Sequence, residues 1–123
     1  MARVALVTGG TRGIGYAISV ALKSAGYRVA ASYAGNDAAA QAFQVETGIP
    51  VYKFDVASFE ASEKAVKQIE KDVGPIDVLV NNAGITKDMM FHKMTKEHWD
   101  AVIGTNLNGL FNVTRQVWEA ADV

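Results

Sequence analysis

The run Thr8-Gly9-Gly10-Thr11-Arg12-Gly13-Ile14-Gly15 constrains this chain more than any other feature. It stands between a short apolar run, Arg3–Thr8, that reads as a buried strand, and a helical pattern of Ile14, Ala17, Ile18, Ala21, Leu22 and Ala25. Glycine in such a junction permits positive φ and lets the backbone come close to a pyrophosphate. The helix that follows offers unpaired N–H groups and the positive end of its dipole. A glycine-rich turn at the first strand-to-helix junction is the context that a dinucleotide fingerprint requires. The turn therefore predicts a phosphate site made of Gly9, Gly10, Thr11, Arg12, Gly13, Ile14 and Gly15. A purely structural turn is the competing reading.

The remaining pattern fits that context. Gly26 stops the first helix, and Tyr27–Tyr33 reads as a second strand. An Ala-rich helix over 37–46 closes at Gly48, and Val51–Phe54 is a short third strand. Phe59, Ser62, Val66, Ile69 and Val73 share a helical face, with Glu60–Lys64 and Glu63–Lys67 as exposed i,i+4 pairs. Gly74-Pro75 ends that helix before the strand Ile76–Val80. A long helix is expected from about Thr95 to Ala121, with a core stripe of Trp99, Val102, Ile103, Leu107, Leu110, Phe111, Thr114, Val117 and Trp118. Strands alternating with helices imply an α/β fold with a parallel sheet covered on both faces. Right-handed crossovers then give a Rossmann-like, doubly wound sheet of strand order 3-2-1-4. Residues 1–123 read as a single domain with no repeat or linker, in which the later strands of such a sheet are absent.

Composition excludes several classes. The net charge of −1 supplies no field for nucleic acid or an anionic membrane. No cysteine is present, so there is no disulfide or thiolate site, and His92 and His98 lie in no metal-binding pattern. No apolar run approaches the ~20 residues that span a bilayer. The sequence reads directly into its first strand without a leader, so a cytoplasmic protein is expected.

Glycines 9, 13 and 15 read G-x-x-x-G-x-G behind Thr8, a spacing that resembles the short-chain dehydrogenase/reductase family. Asn81-Asn82-Ala83-Gly84, directly after the fourth strand, is a second mark of that family and sits where open α/β sheets bind ligands. The resemblance covers essentially residues 1–120 and implies the N-terminal half of the family fold. It places Asn82, Ala83 and Gly84 on the nicotinamide side and Asp55-Val56 against the adenine. Asp55 reads equally well as a helix N-terminal carboxylate. Tyr33 joins the cofactor residues at the end of the second strand, where Val29–Ala34 carries no acid to hold a ribose 2′-OH. With Arg12 in the glycine turn, this favours NADPH/NADP over NAD. Asp37, a few residues further on, is the main argument against, and Arg12 as a plain solvated charge is the bland alternative.

Asn106 falls on the apolar stripe, where a buried amide needs partners for both its ends. It reads either as a satisfied core Asn or, by the match of Thr105-Asn106-Leu107, as the family's active-site Asn that positions a water in a proton relay. Gly84–Asp88 and Phe91–Thr95 look most like the acetoacetyl-CoA reductases and 3-oxoacyl-[acyl carrier protein] reductases within the family. The resemblance implies reduction of a 3-oxoacyl thioester substrate with NADPH. Met89, Met90, Phe91 and Met94 suit an acyl-chain lining, a subunit contact or a self-packed loop.

The family's chemistry also needs a Ser and a Tyr-x-x-x-Lys. The residues four after Tyr16, Tyr27, Tyr33 and Tyr52 are Val20, Ala31, Asp37 and Val56, none of them lysine. The chain alone is therefore expected to bind cofactor without catalysing reduction. Either a longer parent carries the missing residues, or the chain is a non-catalytic NADP-binding module or a truncated folding unit. The fourth strand's open edge invites a homo-oligomer.

Overall fold

The computed structural model describes residues 2–84 and 95–120. Four parallel strands, β1 (Val4–Val7), β2 (Arg28–Tyr33), β3 (Val51–Lys53) and β4 (Ile76–Val80), lie in the order β3-β2-β1-β4. This is the expected 3-2-1-4 topology. Helices α1 (Gly13–Ser24), α2 (Asp37–Thr47) and α3 (Phe59–Asp72) connect the strands. Gly48, in the left-handed region at φ 73°, closes α2 where the sequence places the stop. No helix among the described residues is long and apolar enough to cross a membrane.

Each strand alternates between two cores. Val4, Leu6, Ala30 and Ile76 meet Val66, Ile69 and Val113 on the α3 side. Val7, Val29 and Ala31 meet Phe43 and Ile49 on the α1–α2 side. Leu6 and Ile69 are wholly buried, and each such side chain stabilises the fold by roughly 1.5–3 kcal/mol. Central β1 is therefore apolar on both faces, as a parallel sheet covered by helices requires.

The last helix departs from expectation. It consists of α4 (Lys96–Ile103), a π turn (Gly104–Asn108) and α5 (Gly109–Ala120), end to end. Much of the stripe expected to face the core faces solvent instead: Leu107 is 58%, Phe111 59% and Trp118 61% exposed, with Trp99 and Leu110 close to half, whereas Val102 and Ile103 are half-buried and Val117 packs against the core. The buried face of α5 carries Gly109, Asn112, Val113 and Gln116. Its neighbour is the reason. A Cβ on Gly109 would lie 2.6 Å from Val56 Cγ2, and Asn112 Nδ2 donates a buried 2.9 Å hydrogen bond to the Val56 carbonyl. A loop backbone pressed against a helix needs a small residue and a donor there, which no apolar stripe supplies.

Two smaller expectations are also corrected. Phe59 is half-exposed and stacks on Phe111 with ring centroids 6.4 Å apart. Glu60–Lys64 and Glu63–Lys67 form no ion pairs, whereas Lys53–Asp37, Lys96–Asp100 and Arg115–Glu119 do so among the described residues. Exposed pairs of this kind gain little against side-chain entropy, so the α3 side chains stay solvated.

Candidate cofactor site

A cleft of about 490 Å³ opens at the carboxyl ends of β1, β2, β3 and β4. Gly9, Thr11, Arg12, Gly13, Tyr33, Asp55, Val56, Asn82, Ala83 and Gly84 line it, all of them anticipated as cofactor residues. Sequence reasoning missed Ser32, Ala34, Gly35, Phe54 and Thr105. The first four stand at strand ends on the carboxyl edge, and that position alone was a usable signal.

The glycine turn is held from beneath. Gly9 N donates to Ser32 Oγ at 3.3 Å and Gly10 N to the Ser32 carbonyl at 3.1 Å. Gly9 itself has φ 62°, where a side chain is strained. Gly10, Ile14 and Gly15 do not line the cleft. Gly10 packs on Ser19 and Ala31 below it, and Ile14 is 75% exposed at the start of α1. A Cβ on Gly15 would lie 2.0 Å from the Gly9 carbonyl oxygen, so Gly15 serves the close packing of helix on turn.

The N-terminus of α1 has a distinctive chemistry. Side chains cap α2 through Asn36, α3 through Ser58 and α4 through Thr95. No side chain caps α1, whose N-cap residue is Arg12. Its first-turn N–H groups therefore lack acceptors of their own and lie beside the cleft, which suits an anion. Arg12 is exposed and forms no ion pair among the described residues. Among the described residues, Arg12 and Asp55 are the only charged side chains in the lining.

Two loops close the other side. The buried Thr8 hydroxyl accepts from Asn82 N and Ala83 N, both at 3.0 Å, and Asn82 Nδ2 donates to the Gly9 carbonyl at 3.1 Å. The end of β4 is thereby stitched to the end of β1. Asp55 Oδ1 accepts from Ala57 N at 2.9 Å, while Ser58 performs the capping of α3. Asp55 is thus a turn-forming residue that also lines the cleft.

Asn106 is not in the core. It sits exposed on the π turn, and its Oδ1 lies 3.2 Å from the place of a Cβ on Gly84. With Thr8, Asn81, Thr105 and the neighbouring backbone it bounds a cavity of about 30 Å³, enough for a water. Met89, Met90, Phe91, Met94, His92 and the segment Ile85–Asp88 lie outside the described residues. Among the described residues no group of acids and histidines could hold a metal ion.

The comparisons agree with this geometry. Residues 3–122 match the model of the short chain dehydrogenase family. The acetoacetyl-CoA reductase of Shinella zoogloeoides is 70% identical over 118 residues, which are 96% of this chain and 49% of that protein. The acetoacetyl-CoA reductase of Rhizobium meliloti is 65% identical over the same shares. A 3-oxoacyl-[acyl-carrier-protein] reductase of Staphylococcus epidermidis is 42% identical over 95% of this chain and 50% of its own. Among solved structures, a double mutant of a Serratia marcescens short-chain dehydrogenase/reductase superposes with a TM-score of 0.90 at 31% identity, covering 96% of this chain and 50% of that one. The chain spans about half the length of the curated relatives it matches. The glycine turn, the Asn81–Gly84 segment and the 3-2-1-4 sheet are those of the short-chain dehydrogenase/reductase family, to which this chain belongs.

Proposed function

We propose that the chain is the NADPH-binding half of a reductase that converts a 3-oxoacyl thioester of the acetoacetyl-CoA type into its 3-hydroxy product. The observation that carries the substrate class is identity of 65–70% with proteins named acetoacetyl-CoA reductase. The cleft itself supports the cofactor. The uncapped α1 N-terminus and Arg12 would hold phosphates, and Asp55-Val56 and Tyr33 would flank the adenosine. Asp37, the residue that argued for NAD, is absent from the lining and is paired with Lys53. Bound there, the cofactor supplies the hydride. Asn82, Ala83 and Gly84, fixed by Thr8, would bound the nicotinamide end, and Asn106 beside its small cavity would hold a water for proton relay.

The chain carries no Tyr-x-x-x-Lys, so it lacks the acid–base pair that the family resemblance calls for. Tyrosine, with its ordinary pKa of about 10, needs such a lysine to work near neutrality. The same observation favours a second reading, a module that binds NADP without catalysis. Titration with NADPH and NADH tests binding; the expected result is a clear preference for NADPH. An NADPH-oxidation assay with acetoacetyl-CoA is expected to show no turnover by this chain alone, and turnover at the level of a full-length relative would refute that.

Self-association accompanies this reading. The exposed stripe of α5 and the outer edge of β4, which pairs with no further strand among the described residues, are both surfaces that a homo-oligomer would cover. A monomer by light scattering at high concentration would refute it.

A further inference from the structure

One ion pair beside the wall of the cleft has a position that bears on cofactor choice. Lys53 ends β3 and is the register partner of Tyr33 on β2. Directly paired residues in neighbouring strands present their side chains on the same face of the sheet. Lys53 therefore lies on the face of Tyr33, one strand away from a residue of the cleft wall, and is followed in sequence by the wall residues Phe54 and Asp55. Its Nζ lies 3.0 Å from Asp37 Oδ1 and 3.3 Å from Oδ2, so one ammonium faces both carboxylate oxygens. The hydrogen bond and charge of Asp37 hold that ammonium above its ordinary pKa, and Tyr33 adds to the effect. Asp37 begins α2, just beyond the wall residues Ala34 and Gly35.

Strand order completes the arrangement. β2 lies between β3 and β1, so its end, Ser32–Gly35, is flanked by Lys53 on one side and by the Arg12 turn on the other. An adenosine ribose seated at the end of β2 is where an acid would read a 2′-OH in an NAD site. Here two cations flank that position, and the nearby acid is turned onto one of them. Both partners of the ion pair are more than half exposed, at 53% and 65%, so the pair is weak and its exchange costs little. A phosphate dianion at the ribose attracts an ammonium more strongly than a single carboxylate does.

We infer that Lys53 is a specificity-determining residue for the 2′-phosphate of NADPH: it leaves Asp37 for that phosphate and closes on it opposite Arg12. The inference rests on the NADPH reading of the cleft. A ligand with a bare 2′-hydroxyl gives Lys53 no reason to leave Asp37, so the discrimination operates only on the phosphorylated ribose.

The test uses the 123-residue chain and two ligands that differ in the 2′-phosphate alone, adenosine 2′,5′-bisphosphate and adenosine 5′-monophosphate, in calorimetric titration. Both side chains are exposed, so Lys53→Met and Asp37→Asn leave the fold intact, which circular dichroism verifies. Lys53→Met is expected to weaken the bisphosphate about tenfold at low salt while changing the monophosphate by less than about twofold. The difference shrinks as salt is added. Asp37→Asn is expected to tighten the bisphosphate alone, and the double variant to stay about tenfold weaker than Asp37→Asn. Equal losses for both ligands, or none, would overturn the inference. So would a double variant that binds the bisphosphate as tightly as Asp37→Asn does, because Lys53 would then act only by shielding Asp37. A wild-type chain that binds both ligands equally would instead refute the NADPH reading, and the role of Lys53 would fall with it.

Discussion

Thr8→Val isolates the stitch between β1 and β4. The substitution keeps the side-chain shape and removes one oxygen that is 1% exposed as a residue. That oxygen accepts from Asn82 N and Ala83 N at 3.0 Å each, and its proton points at the Val80 carbonyl at 3.4 Å. One backbone donor, Ala83 N, loses its partner in a half-buried loop, while Asn82 N keeps the Val80 carbonyl at 3.1 Å. At about 1–3 kcal/mol for a stranded donor, the cost is about 2 kcal/mol. Thr8→Ser keeps the hydroxyl and loses one methyl, for about 1 kcal/mol. Urea unfolding followed by far-ultraviolet circular dichroism separates the two. With a denaturant slope of about 1–3 kcal/mol/M, the valine variant's midpoint falls by roughly 1 M and the serine variant's by about half as much. Asn82 and Ala83 line the cleft, so the valine variant also loses NADPH affinity out of proportion to the serine variant. Equal stability of the two variants would refute the claim that the hydroxyl's bonds hold this loop.

Gly15→Ala places a Cβ 2.0 Å from the Gly9 carbonyl and 2.6 Å from Asn82 Nδ2, so NADPH titration is expected to show binding lost even where the fold survives. Tyr52 is held neutral, its pKa pushed up to about 12 by burial and then by the hydrogen bond to Asp72. The folded state favours the phenol, so this contribution to stability is full below pH ~10 and disappears as pH rises toward about 12. Tyr16 is also raised, by its hydrogen bond to Glu46, so ultraviolet titration should show late-titrating tyrosine from which Tyr52→Phe removes one component, along with part of the stability loss in that window. Phe111→Lys with Trp118→Lys breaks the exposed stripe and is expected to reduce self-association in light scattering while lowering stability by about 1 kcal/mol, the loss of the Phe59–Phe111 stack.

Much of this molecule was legible before any coordinates. Gly26 and Gly48 mark helix ends because the chain turns there through a left-handed residue, a local requirement that leaves a local signature. The strand order followed from alternation, crossovers of one hand and the glycine turn after β1, which together fit a Rossmann-like sheet. The glycine turn and Asn81–Gly84 declared the cleft for the same reason: backbone approach demands residue types that are rare elsewhere. The last helix was misread because its apolar stripe and its packed face are different surfaces. Periodicity reports that a helix has an apolar side, not which neighbour covers it. What holds α5 in place is Gly109 and Asn112 against Val56, two residues that carry no hydrophobic signal. The pairing of Asp37 with Lys53 was not legible, since the two are distant in sequence and meet only through the pairing of β2 with β3.

The π turn carries a consequence for chain length. A π turn holds a residue more than the α-helical register allows, so Lys96–Ile103 and Gly109–Ala120 are out of phase with each other. Deleting one residue from 104–108 would let the whole segment run on as unbroken α-helix. The flanks would keep their directions, because five residues of a π turn sweep about the angle that four α-helical residues do. Asn112 would stay on Val56, while Asn106, inside the turn, would lose its place beside Gly84. A one-residue deletion here should therefore spare the helix and cost the contact with the β4 loop: the extra residue is what lets one helix hold both loops of the cleft at once.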